Sequence, residues 1–164
     1  MAYVDLADIF DPAPDASPPA EWGDQIRDNF EALAAIVLGL SAAAVSTSES
    51  RSDASYGDLA TPGPSVGVVT GERAVVFIGA NMSGSSGSSA LMSFEVSGAS
   101  MQAASDNTAV NGIADMTNFR NGMLYVIEGL TPGLNIFTAK YRRSLGGTGT
   151  ATFAHRQLFV VPLP

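Results

Sequence analysis

Residues 54–164 are divided into short apolar stretches by frequent turn-forming residues. Within one stretch, Met92, Phe94 and Val96 alternate with polar residues, as in a strand that buries one face. Pairs that contain glycine or proline separate the stretches, and Asn121-Gly122 is the strongest signal for a hairpin turn. About 110 residues with turns at this spacing predict an antiparallel β-sandwich, of either the jelly-roll or the immunoglobulin-like type.

The continuously apolar run Ala74–Ile78 predicts a central strand that is buried on both faces. Further strands are predicted wherever apolar residues lie between turn signals. The full set is Tyr56–Ala60, Val66–Thr70, Arg73–Ala80, Leu91–Ser97, Ser100–Ala104, Asn118–Arg120, Met123–Glu128, Asn135–Arg142, Thr148–Phe153 and Gln157–Pro162. The Gly/Ser-rich run Ser83–Ser89 predicts a flexible, exposed loop.

Residues 19–45 predict one long helix with an apolar stripe. Pro19 is acceptable in a first turn, and Glu21 and Asp24 suit the positive end of the helix dipole. The stripe repeats at alternating spacings of four and three residues, as the seam of a coiled coil does. It comprises Ile26, Phe30, Leu33, Val37, Leu40 and Ala44. A helix that packs on its own domain has a similar stripe, but a polar linker at residues 46–53 favours self-association. We expect the six residues to be oligomerisation sites in a stalk of three parallel copies.

Residues 1–18 predict an extended arm. The runs Asp11-Pro12-Ala13-Pro14 and Ser17-Pro18-Pro19 favour a polyproline-like backbone. An isolated segment of this kind cannot bury enough surface to order itself. We expect it to anchor the chain to a larger structure through its apolar residues, which are Tyr3, Val4, Leu6, Ile9 and Phe10.

The net charge of −8 comes from the N-terminal part of the chain. Residues 1–31 contain eight acids and one base, whereas six acids balance six bases from Ala54 onward. Nucleic acid is a poor partner for such a chain, because phosphate binding requires a basic surface. The acidic arm suits a basic protein surface, or it only keeps this segment soluble. No apolar run reaches the roughly 18 to 20 residues that span a bilayer, so membrane insertion is not expected.

The residue types that carry enzyme chemistry are scarce. The chain has no cysteine, and His155 is its single histidine, so a histidine pair for a metal site cannot form. No nucleophile elbow precedes His155, which we interpret as a turn or interface residue. Arg142-Arg143 is either an ion-pair partner for the acids of a neighbour or a solvated strand edge. We therefore expect no catalytic, metal or cofactor site.

The sequence PAEWGDQIRDNFEAL at residues 19–33 resembles a helix of many small structural proteins of actinobacterial tailed phages. In these proteins a W…IRDNF..L pattern follows a proline-containing arm. The β-domains of the same proteins are similar to several motifs of the C-terminal part, at residues 56–64, 104–109, 129–142 and 156–163. The resemblance covers residues 19–164, and its motifs are structural rather than catalytic.

This resemblance implies a non-enzymatic virion protein, such as a minor tail protein, tail fibre or head fibre, assembled in the bacterial cytoplasm. Its partners would be copies of itself and other virion proteins in the tail or the capsid. A host cell-surface glycan is a further candidate, and it would contact the loops Ser83–Ser89, Ser105–Asp115 and Ser144–Thr150. Two alternatives stay open: a capsid decoration protein, and a carbohydrate-binding module.

Overall fold

The computed structural model describes residues 24–30 and 39–163. The chain divides into two units, with the boundary between Leu38 and Gly39. In the first unit, residues 24–30 are helical, and Nη1 of Arg27 lies 3.0 Å from Oδ1 of Asp24 one turn earlier. The second unit begins with the helical residue Gly39, and its other described residues form β-strands, their connections and a 3₁₀ turn at Asp106–Thr108.

The second unit contains nine strands. Their bounds are β1 Ser41–Val45, β2 Glu49–Arg51, β3 Ser65–Thr70, β4 Arg73–Gly84, β5 Ala90–Gly98, β6 Val110–Asn111, β7 Phe119–Glu128, β8 Gly133–Arg143 and β9 Ala151–Leu163. The expectation of a mainly β, antiparallel domain is therefore confirmed.

Every pairing between these strands is antiparallel. The pairs β1·β9, β3·β8, β4·β7 and β5·β6 are nested, so the chain from β1 to β9 follows the path of one long hairpin. Two further pairings, β4·β9 and β5·β8, roll this hairpin into two sheets. The five-stranded sheet has the order β1-β9-β4-β7, with β2 also paired to β9, and the four-stranded sheet has the order β3-β8-β5-β6.

The two sheets share one core, because alternate residues of each strand point to the same side. From the four-stranded sheet, the ring of Phe94 lies 6.1 Å from that of Phe137. Across the core, the ring of Tyr141 on β8 lies 4.8 Å from that of Phe153 on β9. All four of these aromatic side chains are fully buried.

Strand β4 lies in the middle of the five-stranded sheet, as the sequence predicted for Ala74–Ile78. Its burial differs from the prediction. Ala74, Val76 and Ile78 are buried in the core, whereas Val75 and Phe77 are only partly covered on the other face. An apolar run therefore marks a strand with an apolar outer surface here, instead of a strand that is buried on both faces.

The prediction that the N-terminal helix extends to residue 45 is wrong. Residues 41–45 form β1 and pair with β9, so Ala44 lies opposite Gln157 in a sheet. The predicted linker at residues 46–53 is also incorrect, because it contains β2, which pairs with Phe153–Ala151 of β9. Alanine favours helices locally, but the open edge of β9 offers hydrogen bonds that outweigh this preference. The β unit begins at Gly39 and not at residue 54.

The hairpin predicted at Asn121-Gly122 is also wrong. Both residues lie within β7, which pairs with β4 without interruption from Phe119 to Glu128. The segments predicted as separate strands on either side of this dipeptide are thus one strand. Gly122 instead leaves space for the neighbouring ring of Phe77, which a side chain at this position would meet.

Two other predicted strands are reduced to single bridges. In Tyr56–Ala60 only Gly57 pairs, with Tyr141, and in Ser100–Ala104 only Gln102 pairs, with Val96. The last two predicted strands are instead one, β9, which runs through His155. The remaining predicted strands, at residues 66–70, 73–80, 91–97 and 135–142, are confirmed with ends that shift by a few residues.

A bulge in β9 explains why it was predicted as two strands. Gly79 lies opposite Gln157 and Asn81 opposite Ala154, so Ala80 faces two residues, His155 and Arg156. The φ angle of His155 is 49°, a left-handed conformation. The extra residue reverses the alternation along the strand, which turns the side chain of Arg156 into the interior.

Candidate functional site

The outer face of the five-stranded sheet carries apolar side chains that the core does not use. Phe77 and Phe159 lie opposite each other on β4 and β9, and their rings stack with centroids 4.9 Å apart and planes inclined by 14°. Paired residues share a face of a sheet, so the strand register extends this surface to β1 and β7. We call it the apolar face, and it comprises Ala42, Ala44, Val75, Phe77, Leu124, Val126, Phe159 and Val161.

Two grooves cross this face on either side of the aromatic pair. One, of about 520 Å³, is lined by Phe77, Phe159 and the alanines of β1. The other, of about 250 Å³, lies between Phe77, Arg120 and Gln157. In the second groove, Nη2 of Arg120 donates a hydrogen bond of 3.2 Å to Oε1 of Gln157. The face therefore combines an apolar centre with a polar end.

Glycines beneath the ring of Phe77 make this arrangement possible. A Cβ atom on Gly122 would lie 2.7 Å from Cζ of Phe77, and one on Gly79 would lie 3.1 Å from the same atom. These two glycines are paired across β4 and β7, so the ring rests over bare backbone. Gly122 thus provides space for an aromatic side chain and does not form a turn.

Strand β7 forms one border of the apolar face. It ends the order of the five-stranded sheet, and among the described residues no strand pairs with its second edge. Three neighbouring side chains near its middle are about half exposed: Met123 at 48%, Leu124 at 54% and Val126 at 57%. Tyr125, between them, donates a hydrogen bond of 2.7 Å from its hydroxyl to the carbonyl oxygen of Ala109. The strand is therefore held on its inner side and open along its edge.

A buried arginine lies on the inner side of the same sheet. Arg156 is fully buried, and its guanidinium lies 5.4 Å from the centre of the Tyr141 ring. It donates hydrogen bonds to the carbonyl oxygen of Thr61 at 3.1 Å and to Oγ1 of Thr47 at 2.9 Å, and it lies 3.3 Å from the carboxylate of Glu49. Hydrogen bonds from Thr61, with support from Arg156, hold the pKa of Glu49 below its usual value. These contacts fix the connection between β1 and β3, so they are structural.

A second polar cluster lies on the four-stranded sheet. Nη2 of Arg142 lies 2.6 Å from Oδ2 of Asp106, and the hydroxyl of Tyr56 donates to Oδ1 at 2.8 Å. Hydrogen bonds from Arg142 and then from Tyr56 lower the pKa of Asp106. Burial, and then the bond to Asp106, raises the pKa of Tyr56. Arg142 is 6% exposed, so the interpretation of Arg142-Arg143 as a solvated edge is wrong for this residue, and its ion pair is with Asp106 of the same chain.

Lys140 lies two residues before Arg142 on β8 and has a similar set of ion-pair partners. Its Nζ lies 2.8 Å from Oδ1 of Asp58 and 3.0 Å from Oε1 of Glu95. Burial alone would lower the pKa of Lys140, but the two carboxylates outweigh it and raise the pKa. Each acid is thus paired with a base, and the cluster has the character of a structural ion-pair network.

All three loops predicted to contact a host surface meet at one end of the β unit, the loop Ser105–Asp115 through its last residue. The backbone N–H of Ser85 donates to the carbonyl oxygen of Thr150 at 3.1 Å, and that of Ser89 to Oγ of Ser144 at 2.9 Å. The carboxylate of Asp115 accepts from the N–H of Gly87 at 3.0 Å. Ser88 is fully buried, so the prediction that the whole Gly/Ser run is exposed is incorrect at this residue.

The structure places the predicted oligomerisation residues in different settings. Ile26 and Phe30 lie in the helical residues 24–30 and are 40% and 66% exposed. Leu40 is exposed and follows the last helical residue, and Ala44 belongs to β1. The predicted residues Leu33 and Val37, and the anchoring residues Tyr3, Val4, Leu6, Ile9 and Phe10, lie outside the described residues.

No protein-family model matches this chain, and no curated protein matches it either. None of the helical residues that the structure describes belongs to a segment with the length and hydrophobicity of a membrane-spanning helix. The described residues as a whole hold no group of three or more His, Cys, Asp or Glu side chains that could bind a metal ion.

Sequence reasoning did not find the apolar face or the buried Arg156. One signal was available for the face. The run Ala74–Ile78 is apolar at odd and even positions alike, so both faces of the strand are apolar, and the second face either stays an apolar outer surface or is covered by a further layer. The position of Arg156 depends on the bulge at His155, for which the sequence carries no turn signal.

Proposed function

We propose that this chain is a non-enzymatic structural protein of a tailed-bacteriophage virion, built to assemble with other protein chains. The observation that carries the proposal is the apolar face together with the open edge of β7. Large apolar patches on the surface of a β domain are typical of protein–protein contacts. The resemblance of residues 19–33 to phage structural proteins supports the same class.

The strand order favours the jelly-roll over the immunoglobulin-like alternative. Four nested antiparallel pairs rolled into two sheets are the defining path of a jelly roll, a fold that viral capsid proteins use. This support is an analogy at the level of the fold, since one fold serves many functions.

The N-terminal segment provides the attachment in this proposal. Ile26 and Phe30 are four residues apart and exposed, as the seam of a helical stalk requires. Three copies would associate through this seam, and the arm would bind the tail through its apolar residues and its acidic charge. A capsid decoration or head-fibre protein differs from this tail fibre or minor tail protein only in the surface that the arm meets.

Labelling of intact particles tests the proposal directly. A gold-labelled antibody against this chain should decorate purified virions of the phage that encodes it, at the tail or at the capsid. Mass spectrometry of the same particles should contain peptides of the chain. Label that stays with the lysed-cell fraction, with no peptides in the particles, would contradict a structural role in the virion.

Light scattering tests the stalk. The chain of 16.9 kDa should have a mass of three copies or a multiple of it. Replacement of Phe30 and Leu33 by Asp should remove this association while the circular dichroism of the β unit stays unchanged. A chain that keeps its mass after both replacements would exclude the seam as the oligomerisation site.

The groove beside Arg120 favours a second candidate, the binding of a host cell-wall glycan. Arg120, Gln157 and the ring of Phe77 offer planar hydrogen-bonding groups next to an aromatic surface, the combination that sugar sites use. Calorimetry with cell-wall polysaccharide should then give a binding signal that Arg120→Ala abolishes. The matched control is Val69→Ala, at a residue that is 70% exposed on the other sheet.

A further inference from the structure

We propose that the open edge of β7 pairs with β7 of a second copy of this chain, so that the two five-stranded sheets become one. The pairing goes beyond the proposed virion role and does not depend on the N-terminal stalk. It rests on the length, exposure and charge pattern of this strand.

Strand β7 is the longest strand with an open edge in the described part of the chain. It has ten residues, compared with five in β1, six in β3 and two in β6. Proteins protect open edges with short strands, lysine, proline or bulges, because a bare edge is a template for another chain. Strand β7 contains no lysine or proline, and its register with β4 has no shift. None of these four protections is present.

The sequence of β7 is complementary to itself in one antiparallel register. If Leu124 lies opposite Leu124 of the second copy, then Arg120 lies opposite Glu128 and Gly122 opposite Val126. The two charged residues of the strand thus form two opposite-charge pairs, one at each end of the paired region. Both lie on the outer face, because they align with Asn81 and Arg73 of β4 in the strand register.

The same register joins the two apolar faces. Leu124 and Val126 are exposed at the border of one face, and across the two-fold axis they would continue it with their counterparts. Arg120 also donates to Gln157, but a guanidinium has five N–H donors and can serve a second acceptor. The backbone N–H of Gly122 donates to Oδ1 of Asn121 at 2.9 Å and would exchange this bond for one to the second copy, in a pairing that forms up to about ten backbone hydrogen bonds.

Cysteine cross-linking of the full chain tests this register, because the chain has no cysteine of its own. Opposite Cα atoms in an antiparallel pair are about 4.5 to 5.5 Å apart, within the range of a disulfide. Leu124→Cys should therefore oxidise to a disulfide-linked dimer of twice 16.9 kDa on a non-reducing gel. Each chain has one thiol, so association through the N-terminal segment cannot add larger products.

Val126→Cys is the matched control, since it has the same strand, face and exposure. In this register two copies of residue 126 are offset by four residues, roughly 14 Å along the strands, which no disulfide can span. We expect at least tenfold slower dimer formation than for Leu124→Cys. Equal rates would mean random collision and would overturn the proposal.

Charge exchange gives a second, independent test in the Leu124→Cys background. Arg120→Glu places like charges opposite each other and should slow cross-linking about tenfold. Glu128 also lies opposite Arg73 of β4 in the same chain, so the compensating variant carries Arg120→Glu, Glu128→Arg and Arg73→Glu. It restores opposite charges between the copies and within each sheet, and it should restore the rate. Failure of this triple replacement to recover would exclude this register.

Absence of any Leu124→Cys dimer, in a chain whose circular dichroism is unchanged, would overturn the proposal. That result would mean that the edge is covered by residues of the same chain or by another protein. The result of antibody labelling on virions does not depend on this cross-link, so the virion role and the β7 pairing can fail separately.

Discussion

The guanidinium of Arg156 lies 3.3 Å from the carboxylate of Glu49, although the two residues are more than a hundred positions apart in the sequence. The bulge at His155 turns Arg156 inward, and β2 carries Glu49 to the edge of the same sheet. The pair links the last strand to the segment that joins β1 and β3. A charge in the interior is thereby balanced by a carboxylate and by backbone oxygens.

We expect Arg156→Ala to be strongly destabilising. It would remove a fully buried side chain and leave the carbonyl oxygen of Thr61 without its donor, and one unsatisfied buried acceptor costs about 1 to 3 kcal/mol. Glu49 would keep its hydrogen bonds from Thr61. Urea unfolding measures the change in the free energy of unfolding. Arg120→Ala, at a solvent-facing arginine on the same sheet, should change it by less than about 0.5 kcal/mol. Similar effects at both positions would show that burial is not the cause.

We expect Asp106 to make the free energy of unfolding depend on pH in the acidic range. Its pKa is lowered in the folded protein, so its contribution is complete above the unfolded pKa, about 3.9 for aspartate, and is lost as the pH falls through the lower, folded value. Asp106→Asn should be less stable than the parent at neutral pH, with the difference shrinking below about pH 4. Thermal unfolding at several pH values measures it. A difference that stays constant from neutral to acid pH would contradict the ion pair with Arg142.

The contact between Gly122 and the ring of Phe77 predicts that the effects of replacing these two residues on stability are coupled. Gly122→Ala alone should destabilise the protein, because its Cβ would collide with Cζ of Phe77 at 2.7 Å. In a Phe77→Ala background the same change should cost much less, since the ring is gone, glycine weakens a strand, and the one close contact left for the Cβ is the carbonyl oxygen of Ile78 at 3.2 Å. Denaturant unfolding of the four proteins gives the coupling. Additive effects would exclude the contact as the reason for glycine.

The start of the β unit can be tested with two shortened chains. A chain that begins at Gly39 keeps β1 and should have the same β-sheet circular dichroism and urea midpoint as the full chain. A chain that begins at Ser46 lacks β1, whose Ala43 packs against the core, and should lose about 2 kcal/mol. Equal stability of the two shortened chains would mean that β1 contributes nothing to the sheet.

Local patterns predicted the elements whose signals are carried by neighbouring residues. The alternation of Met92, Phe94 and Val96 places these side chains in the core, and all three are buried. The apolar run Ala74–Ile78 marked the central strand correctly, although its second face is open. Signals that depend on a partner strand were misread: Asn121-Gly122 has the composition of a turn but lies under an aromatic ring, and the alanines of β1 have the composition of a helix.

The sequence by itself determined that residues 54–164 form antiparallel strands, because the period of apolar residues and the turn residues between them act within a few positions of each other. It also determined where the acidic charge lies along the chain. Only the tertiary structure decided which strand ends a sheet, which face stays apolar and which arginine is buried. These properties depend on contacts between residues that can be more than a hundred positions apart, and no local pattern encodes such distances.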